Sequence, residues 1–168
     1  AKDPLGGILQ LPEIITDFNM NWVWEQYDSQ VMGNTIHGLH KDPAIVRIPN
    51  SNKGVAITVD SSTHYSLANP INGGKQVVCE SWRNLISVGS EPIAITNCLN
   101  FGNPEKDKIM GQFVETIDGI SQACNYLDFP VVSGNVSFYN ETQNKAISPT
   151  PTIGGVGLIR NLNLVTTK

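Results

Sequence analysis

The middle of the chain alternates between segments with strand character and segments with helix character, and this order limits the possible folds strongly. Residues 92–98 form an apolar strand pattern, 107–127 repeat apolar residues at helical spacing, and 130–133 form another short apolar strand. A strand, a helix and a strand of these lengths are typical of a right-handed crossover unit, although apolar spacing does not establish that the strands are parallel. The pattern therefore predicts an α/β-type domain.

The flanking sequence adds further elements to this unit. Residues 1–17 are rich in Pro and Gly and are predicted to form a linker or N-terminal arm, which leaves 18–168 as one domain. The other predicted elements are a helix at 20–32, a strand pair at 44–49 and 54–60, a long polar loop at 61–74, an amphipathic helix at 74–89 and a last strand at 152–160. Because the chain starts without Met and ends without a clear boundary signal, we expect it to be a piece of a longer protein.

Composition narrows the class of protein. Of the 168 residues, 40% are hydrophobic and 15% are charged, which is typical of a globular domain and not of a disordered chain. The net charge of -4 argues against nucleic-acid binding, because contacts to phosphate backbones need clustered Lys and Arg. No apolar run is long enough to span a bilayer and no signal peptide is apparent, so we expect a cytoplasmic protein.

The thiol and imidazole groups give little support for a metal centre or a disulfide framework. Cys79, Cys98 and Cys124 are odd in number, widely spaced and surrounded by apolar residues, which predicts buried, reduced thiols. His37 and His40 lie three residues apart without a Cys or carboxylate at ligand spacing, which disfavours a zinc site.

Small polar residues cluster where predicted strands end. They are Asp60 at the end of "GVAITVD", Asn97 and Asn100 after "IAIT", and Gly134, Asn135 and Ser137 after "VVS". In sheets with helical crossovers, ligands bind beyond the carboxyl ends of the strands, but the same residue types also form ordinary turns. Both interpretations stay open on residue chemistry alone.

A second polar group is predicted on the helix at 74–89, where Glu80 and Asn84 are four residues apart and so share one face. Carboxylate and amide oxygens are ligands that Mg²⁺ accepts, usually together with substrate phosphates. A solvated helix face would show the same spacing, and Asp60 would serve equally well as a turn cap. The residues alone indicate a polar rim at one end of the sheet and, as a further hypothesis, phosphate and magnesium binding.

Common nucleotide-binding and nucleophile motifs are absent from the sequence. There is no G-x-x-x-x-G-K-[ST] loop, no G-x-G-x-x-G after a strand and no nucleophile elbow. The glycines of "GGVG" at 154–157 lie in a strand pattern, which favours close backbone packing over a phosphate cradle.

Five sequence blocks give a more specific indication of family. They are "WVWEQYD" (22–28), "GVAITVD" (54–60), "EPIAITNCLNFGNPEK" (91–106), "PVVSGNVSFYNET" (130–142) and "PTPTIGGVGLI" (149–159). Together they resemble the formylglycinamide ribonucleotide amidotransferase (phosphoribosylformylglycinamidine synthase) family in its small, separate-subunit form, subunit II. Within that subunit the resemblance is to the N-terminal-type domain of the second half. It implies an α+β fold like the N-terminal domain of aminoimidazole ribonucleotide (AIR) synthetase, PurM, with a mixed sheet that forms half of a barrel and helices packed on one side.

The reaction implied by this resemblance converts formylglycinamide ribonucleotide, ATP and glutamine-derived ammonia to formylglycinamidine ribonucleotide, ADP and phosphate, with Mg²⁺ as cofactor. ATP activates the amide oxygen as an iminophosphate and ammonia displaces phosphate, so catalysis consists mainly of positioning and charge neutralisation. The implied partners are the remaining domains of the same subunit, a separate glutaminase subunit and a small accessory subunit. The isolated domain is expected to be inactive, to expose a pairing surface and to be able to form a homodimer.

The resemblance also implies roles for individual residues. Asn97 and Gly134 match ATP-binding positions, Asn135 matches a magnesium ligand, and Ser137 matches a contact to the substrate ribonucleotide. Asn97 departs from the family pattern, because relatives usually carry Asp there and an amide binds magnesium less strongly than a carboxylate.

An auxiliary nucleotide and magnesium site is implied by Asp60, Glu80 and Asn84, which resemble a D…E-x-x-x-N set of large single-chain relatives. The catalytic histidines of the family have no counterpart here, so no catalytic residue is expected in this chain. Two alternatives stay open: another ATP-dependent enzyme of the AIR synthetase superfamily, or a non-catalytic assembly domain with a structural nucleotide site. The first alternative is disfavoured because this sequence lacks the Asp-rich magnesium motifs of those enzymes. The second is favoured by Asn97, which stands where relatives usually carry Asp.

Overall fold

A computed structural model of the chain describes residues 31–37 and 42–165. The predicted arm at 1–17 lies outside the described residues, as does the predicted helix at 20–32 except for Val31 and Met32, which form a bend and a turn. The chain divides into two compact units, Ala1–Thr35 and Ile36–Lys168, and the features described below belong to the second, apart from Thr35 at the start of the first strand.

A six-stranded mixed sheet forms the centre of the second unit. The strands among the described residues are β1 (Thr35–His37), β2 (Ala44–Arg47), β3 (Gly54–Ser61), β4 (Glu91–Asn100), β5 (Val131–Ser137), β6 (Glu141–Thr142), β7 (Lys145–Ala146) and β8 (Thr150–Ile159). The order across the main sheet is β1-β2-β3-β8-β4-β5, and β6 and β7 form a separate hairpin. The predicted strand pair β2–β3 is antiparallel, and the crossover strands β4 and β5 are parallel. Because β8 is antiparallel to both β3 and β4, the strands β3, β4 and β5 end at the same edge of the sheet.

Within the described part of the chain, three α-helices accompany the sheet: α1 (Thr63–Ala68), α2 (Pro70–Ser87) and α3 (Asp107–Leu127). The bounds of α3 are those predicted from its apolar spacing. The end of α2 is also as expected, because Gly89 adopts a φ of 76° and its N–H donates to the carbonyl of Ile86 over 2.9 Å. Over the described residues, no helix combines the length and the apolar composition that crossing a membrane requires.

The prediction of a long loop at 61–74 is wrong, because this stretch holds α1 and the first turn of α2. The side chain of Asn69 accepts a hydrogen bond from the N–H of Asn72 at 3.0 Å, and Pro70 occupies the first helical position. Gly73 follows inside the helix, where an added Cβ would lie 2.5 Å from Cα of Ser66 in α1. Residue types that usually mark a loop therefore serve here as a cap, a helix start and a close approach between helices.

One face of the sheet is covered by the helices, and the other is open within the described part of the chain. Along β3 buried and exposed residues alternate, so that Thr58 is 2% exposed whereas Val59 is 68% exposed. The largest fully buried side chains of the covered face and its helices include Ile45, Leu85, Ile95, Phe101, Phe129 and Ile153. A mixed sheet with helices packed on one side is therefore confirmed, and the described strands do not close into a barrel.

Two strands extend further than the sequence predicts. β4 continues to Asn100 instead of ending at Cys98, and β5 continues to Ser137 instead of ending at Ser133, because the parallel ladder between them runs on to the pair Asn100–Ser137. β5 is also the edge of the sheet, and its residues from Val131 to Val136 are exposed, so the expectation of a buried strand is wrong. The polar residues of β5 consequently lie within the ladder and not beyond its end.

The three cysteines are free thiols, as predicted, but only Cys124 is buried. Burial raises the pKa of the Cys124 thiol to about 11, with a smaller contribution from nearby Cys79. Cys79 and Cys98 are half-buried.

Candidate functional site

Three of the predicted site residues lie in one row across the sheet. The ladder pairs Asp60 with Ile153, Ile153 with Asn97, and Asn97 with Gly134. Neighbouring strands are about 4.8 Å apart, so the backbones of Asp60 and Asn97 are separated by about 10 Å. Asp60 and Ile153 are both buried, which places the row on the face that the helices cover. The sheet therefore brings these residues into line although they are far apart in the sequence.

Asn97 and Gly134 are in direct contact on the covered face. A Cβ added to Gly134 would overlap Oδ1 of Asn97 and lie 2.9 Å from its backbone oxygen, so only glycine fits beside this amide. Together with Asn135, the two residues border a cleft of about 460 Å³. The helix α3 contributes Ile117, Ile120 and Ser121 to the same cleft. A ligand in this cleft would meet an amide and a bare stretch of backbone.

Asn135 and Ser137 belong to the open face of the sheet, because successive side chains of a strand alternate. In the ladder Asn135 is the partner of Cys98, and Ser137 is the partner of Asn100. The next strand continues these two rows with Thr152 and Thr150. The predicted site residues of β4 and β5 therefore form two sets, one on each face of the same strand pair.

The loops after β4 and β5 are joined by backbone hydrogen bonds. The N–H of Phe101 donates to the carbonyl of Ser137 over 3.0 Å, and the N–H of Tyr139 donates to the carbonyl of Gly102 over 3.0 Å. Phe113 of α3 packs edge-on against Phe101 and Phe138, with ring centroids 5.2 and 4.9 Å apart. The segments that follow β4 and β5 are thus joined into one structure.

An ion pair closes this structure on the solvent side. Nζ of Lys106 lies 2.9 Å from both carboxylate oxygens of Glu141, and the N–H of Asn103 donates to Oε1 at 3.1 Å. The hydrogen bond from Lys106, followed by the one from the Asn103 N–H, lowers the pKa of Glu141 below its usual range. Glu141 therefore fastens the hairpin β6–β7 to the loop that follows β4.

Asp60, Glu80 and Asn84 form a second polar group, which the structure extends by Asp42 and Thr58. Nδ2 of Asn84 donates to Asp60 at 2.7 Å and to Asp42 at 3.0 Å, and the hydroxyl of Thr58 lies 2.9 Å from Asp60 and 2.7 Å from Asp42. Burial raises the pKa of Asp60 above its ordinary value of 3.8, and the negative charges of Asp42 and Glu80 raise it further. Neither ion pair of the described residues involves this group.

Of the two residues that the structure adds to this group, Thr58 can be identified from the sequence and Asp42 cannot. Thr58 lies two residues before Asp60 on the same face of β3, so the strand period could have identified it. Asp42 has no comparable local signal, because its carboxylate reaches the group only through the pairing of β2 with β3.

We predict that Asp60→Asn raises the thermal unfolding midpoint at pH 7 by a few degrees. A raised pKa means that the folded state holds its proton to higher pH than the unfolded state, so Asp60 weakens stability as the pH rises above 3.8. The amide removes that charge and can still accept from Asn84 and donate to Thr58. Melting curves of both proteins between about pH 3 and pH 7 should therefore converge at the acid end.

A matched control for this variant is Asp118→Asn on the exposed surface of α3, which should shift the midpoint little at any pH. If Asp60→Asn were less stable than the parent at pH 7, the proposed repulsion among Asp42, Asp60 and Glu80 would be wrong.

Neither the strand pair β4–β5 nor the polar group around Asp60 has enough side-chain ligands among the described residues to surround a magnesium ion by itself. Within 31–37 and 42–165, no three His, Cys, Asp or Glu side chains are grouped to hold a metal ion. The side chains of His37 and His40 lie outside the description. The amide of Asn135 forms no hydrogen bond within the described residues, so its oxygen is available as a single ligand. This fits an ion that takes most of its oxygens from phosphates and water.

Comparison with known proteins gives a consistent family assignment. A family model described as "AIR synthase related protein, N-terminal domain" matches residues 40–159. Phosphoribosylformylglycinamidine synthase subunit PurL of Pelagibacter ubique (strain HTCC1062) is 57% identical over 167 residues, which is 99% of this chain and 22% of that relative. The chain thus spans about a fifth of the length of the curated relative it matches.

Solved structures agree with this assignment. Thermotoga maritima PurL complexed with ATP has a TM-score of 0.77 and 34% identity, with coverage of 89% of this chain and 25% of that chain. The same protein complexed with FGAR has a TM-score of 0.77 and 35% identity, with coverage of 89% of this chain and 24% of that chain.

Proposed function

The chain belongs to the AIR synthase related protein family, whose N-terminal domain it carries, and from this premise we propose that it works as one domain of a phosphoribosylformylglycinamidine synthase subunit. The AIR synthase-like fold expected from the sequence is confirmed by the family match and by the structural likeness. In the proposed role the domain contributes ligand contacts to the ligase that makes formylglycinamidine ribonucleotide from formylglycinamide ribonucleotide, ATP and ammonia. The observation that carries this proposal is the strand pair β4–β5, which presents Asn97 and Gly134 on one face and Asn135 and Ser137 on the other.

ATP and magnesium are the proposed ligands of the strand pair β4–β5. The bare backbone of Gly134 allows close approach of a phosphate, and the amide of Asn97 offers both a donor and an acceptor. Asn135 would supply one oxygen to Mg²⁺, and a bound ion would neutralise phosphate charge during phosphoryl transfer. Support comes from the ATP complex of T. maritima PurL, which is 34% identical to this chain over the aligned region.

Ser137 is the proposed contact to the ribonucleotide substrate, and the existence of an FGAR complex of T. maritima PurL supports substrate binding by this family. The reaction as a whole needs further parts, so we propose that the domain is inactive alone. The remaining domains of the subunit, a glutaminase subunit and a small accessory subunit would complete the enzyme in the cytoplasm.

The open face of the sheet is the proposed pairing surface with another domain of the subunit. Val59, Ile57 and Val156 are exposed there, which leaves apolar side chains in contact with solvent along two adjacent strands. A partner sheet on this face would complete a barrel of which this domain is half. In the isolated chain a second copy would take that place and form a homodimer.

A second candidate role is a structural nucleotide site at Asp60, Glu80 and Asn84. The specific observation in its favour is that Asp42 and Asp60 share the Thr58 hydroxyl and the Asn84 amide, and that neither forms an ion pair with a Lys or Arg in the described part of the chain. Such a group would accept a cation and the phosphates bound to it.

Calorimetry on the full-length subunit tests the proposed function. We expect ATP to bind only when Mg²⁺ is present, and ammonia-dependent ADP formation to require formylglycinamide ribonucleotide. The 168-residue chain should show no turnover under the same conditions. A subunit that binds no ATP with Mg²⁺ would disprove the nucleotide assignment, and ATP binding without turnover would favour the assembly domain.

A further inference from the structure

The side chain of Asn140 connects the ends of β4 and β5. Its Nδ2 donates to the carbonyl oxygen of Phe101 at 2.9 Å, to the carbonyl oxygen of Ser137 at 2.9 Å and to the hydroxyl oxygen of Ser137 at 3.1 Å. Its backbone N–H also donates to Phe101 at 3.2 Å, and its carbonyl accepts from the N–H of Ile147 at 3.0 Å. One residue therefore fixes the last residue of β5 against the loop after β4.

The turn that carries Asn140 has an unusual backbone. Tyr139 adopts a φ of 61°, in the left-handed region that residues with a Cβ rarely occupy. Its N–H donates to the carbonyl of Gly102 over 3.0 Å, which holds this conformation in place. The turn reverses the chain direction, which brings the Asn140 side chain into contact with Ser137, the residue three positions before it.

The hydrogen bonds of this turn determine what the Ser137 hydroxyl can do. An Asn amide has two N–H groups, and here they serve three oxygen atoms, so Oγ of Ser137 shares one donor with a carbonyl. Oγ thus already accepts one hydrogen bond. Among the described residues, the acceptor in reach of its own proton is Oδ1 of Asn140, at 3.4 Å, which is longer than a good O–H···O hydrogen bond. The proton is therefore available to an oxygen atom outside the turn.

The open face supplies room for such an oxygen. Ser137 is half-buried, and its ladder partner Asn100 lies beside it, with Thr150 next in the same row. The amide of Asn100 makes one weak contact, from Nδ2 to Sγ of Cys98 at 3.4 Å. This corner of the sheet is polar and suits a phosphate or hydroxyl oxygen better than an apolar group.

We propose that Asn140 is a positioning residue, which holds Ser137 so that the Ser137 hydroxyl donates its proton to an oxygen atom of the ribonucleotide substrate. This inference rests on the proposed function, because it adds a residue and a hydrogen-bond direction to the same site. Asn140 itself does not touch the ligand. Its effect passes through Ser137, and that dependence distinguishes it from a residue that merely stabilises the turn.

A double-mutant cycle in the full-length subunit tests this proposal, with ammonia-dependent turnover as the assay. Asn140→Ala and Ser137→Ala should each raise KM for formylglycinamide ribonucleotide about tenfold, while KM for ATP stays within about twofold. Adding Asn140→Ala to Ser137→Ala should change KM by less than about twofold, because the hydroxyl to be positioned is already gone. Independent, multiplicative effects would overturn the proposal.

Two further variants separate an effect on substrate binding from a general loss of folding. Asn140→Asp keeps the shape of the side chain but places a carboxylate against the carbonyls of Phe101 and Ser137, so KM should rise at least as much as in Asn140→Ala. An unchanged KM would show that the donated hydrogen bonds do not matter. Asn163→Ala, on the exposed 3₁₀ turn Leu162–Leu164, should leave KM and kcat unchanged.

A separate variant distinguishes failure of this proposal from failure of the proposed function. If Asn135→Ala lowers turnover but Asn140→Ala and Asn140→Asp do not affect KM, the site is correct and the role of Asn140 is wrong. If neither Asn135→Ala nor Ser137→Ala affects the reaction, the site assignment fails and the inference on Asn140 fails with it.

Discussion

Replacing Asn135 by Ala in the full-length subunit should lower ammonia-dependent turnover about a hundredfold at saturating substrates. The Asn135 side chain lies on the open face of β5, and its amide oxygen has no hydrogen-bond partner in the described residues. The proposed role of that oxygen is to hold Mg²⁺ against the phosphates, and this contact matters most when charge develops during phosphoryl transfer. Steady-state kinetics as a function of the Mg²⁺ concentration measure the effect.

Asn135→Asp is the informative companion to this variant. A carboxylate keeps an oxygen at the same position and binds Mg²⁺ more strongly, so turnover should recover part of the loss and need less Mg²⁺. Because Asn163 is exposed and lies on the 3₁₀ turn outside the sheet, Asn163→Ala serves as the matched control. Turnover of Asn135→Ala within about twofold of the parent would refute the magnesium role.

Two glycines of α3 should respond to the same substitution in opposite directions. Gly119→Ala should lower the unfolding free energy of the chain by about 2–3 kcal/mol, because the new Cβ would overlap the backbone oxygen of Ile71 in α2. Gly111→Ala, on the same helix, should raise it by about 0.5–1 kcal/mol, because no atom lies within 4 Å of the new Cβ and Ala favours the helix.

Thermal or urea unfolding of the three proteins measures this difference. For a chain of this length, the destabilised variant should melt roughly 5–10 °C below the parent. The comparison cancels helix propensity, since both variants exchange Gly for Ala in α3. If Gly119→Ala were as stable as Gly111→Ala, the close approach of α2 and α3 would not be a feature of the folded protein.

Local patterns predict some elements of this fold well. The apolar spacing of 107–127 gives both ends of α3, because its inward face is set by residues of the helix itself. The stop at Gly89 follows in the same way from the conformational freedom of glycine. Such features depend on neighbours within a few residues along the chain.

Other features depend on neighbours that are distant in the sequence, and these are the ones that local patterns miss. Gly73 and Gly74 resemble loop residues until Ser66 and Thr116 are seen to pack against them. The Val-rich start of β5 does not distinguish an inner strand from an exposed edge strand, because that distinction depends on the strand order. Asp42 joins Asp60 for the same reason.

The candidate site shows both kinds of dependence. The resemblance of sequence blocks identifies Asn97, Gly134, Asn135 and Ser137 as site positions, but it does not say that they divide between the two faces of the sheet. The sequence does not identify Asn140 as a site residue, because an Asn after a strand is a common turn residue. Its proposed role depends on the hydrogen bonds that it makes to Phe101 and Ser137, which only the folded structure shows.

Because side chains alternate along β5, a shift of this strand by a single residue would move each of its side chains to the opposite face of the sheet. If β5 slipped by one position along β4, Asn135 would point toward α3 and Gly134 would point to solvent. A one-residue insertion before Gly134 should therefore be far more damaging than one in the turn at Gln143 and Asn144, which lies outside the main sheet. The ligand contacts of this strand pair therefore depend on the number of residues that precede Gly134 as much as on the identity of the residues.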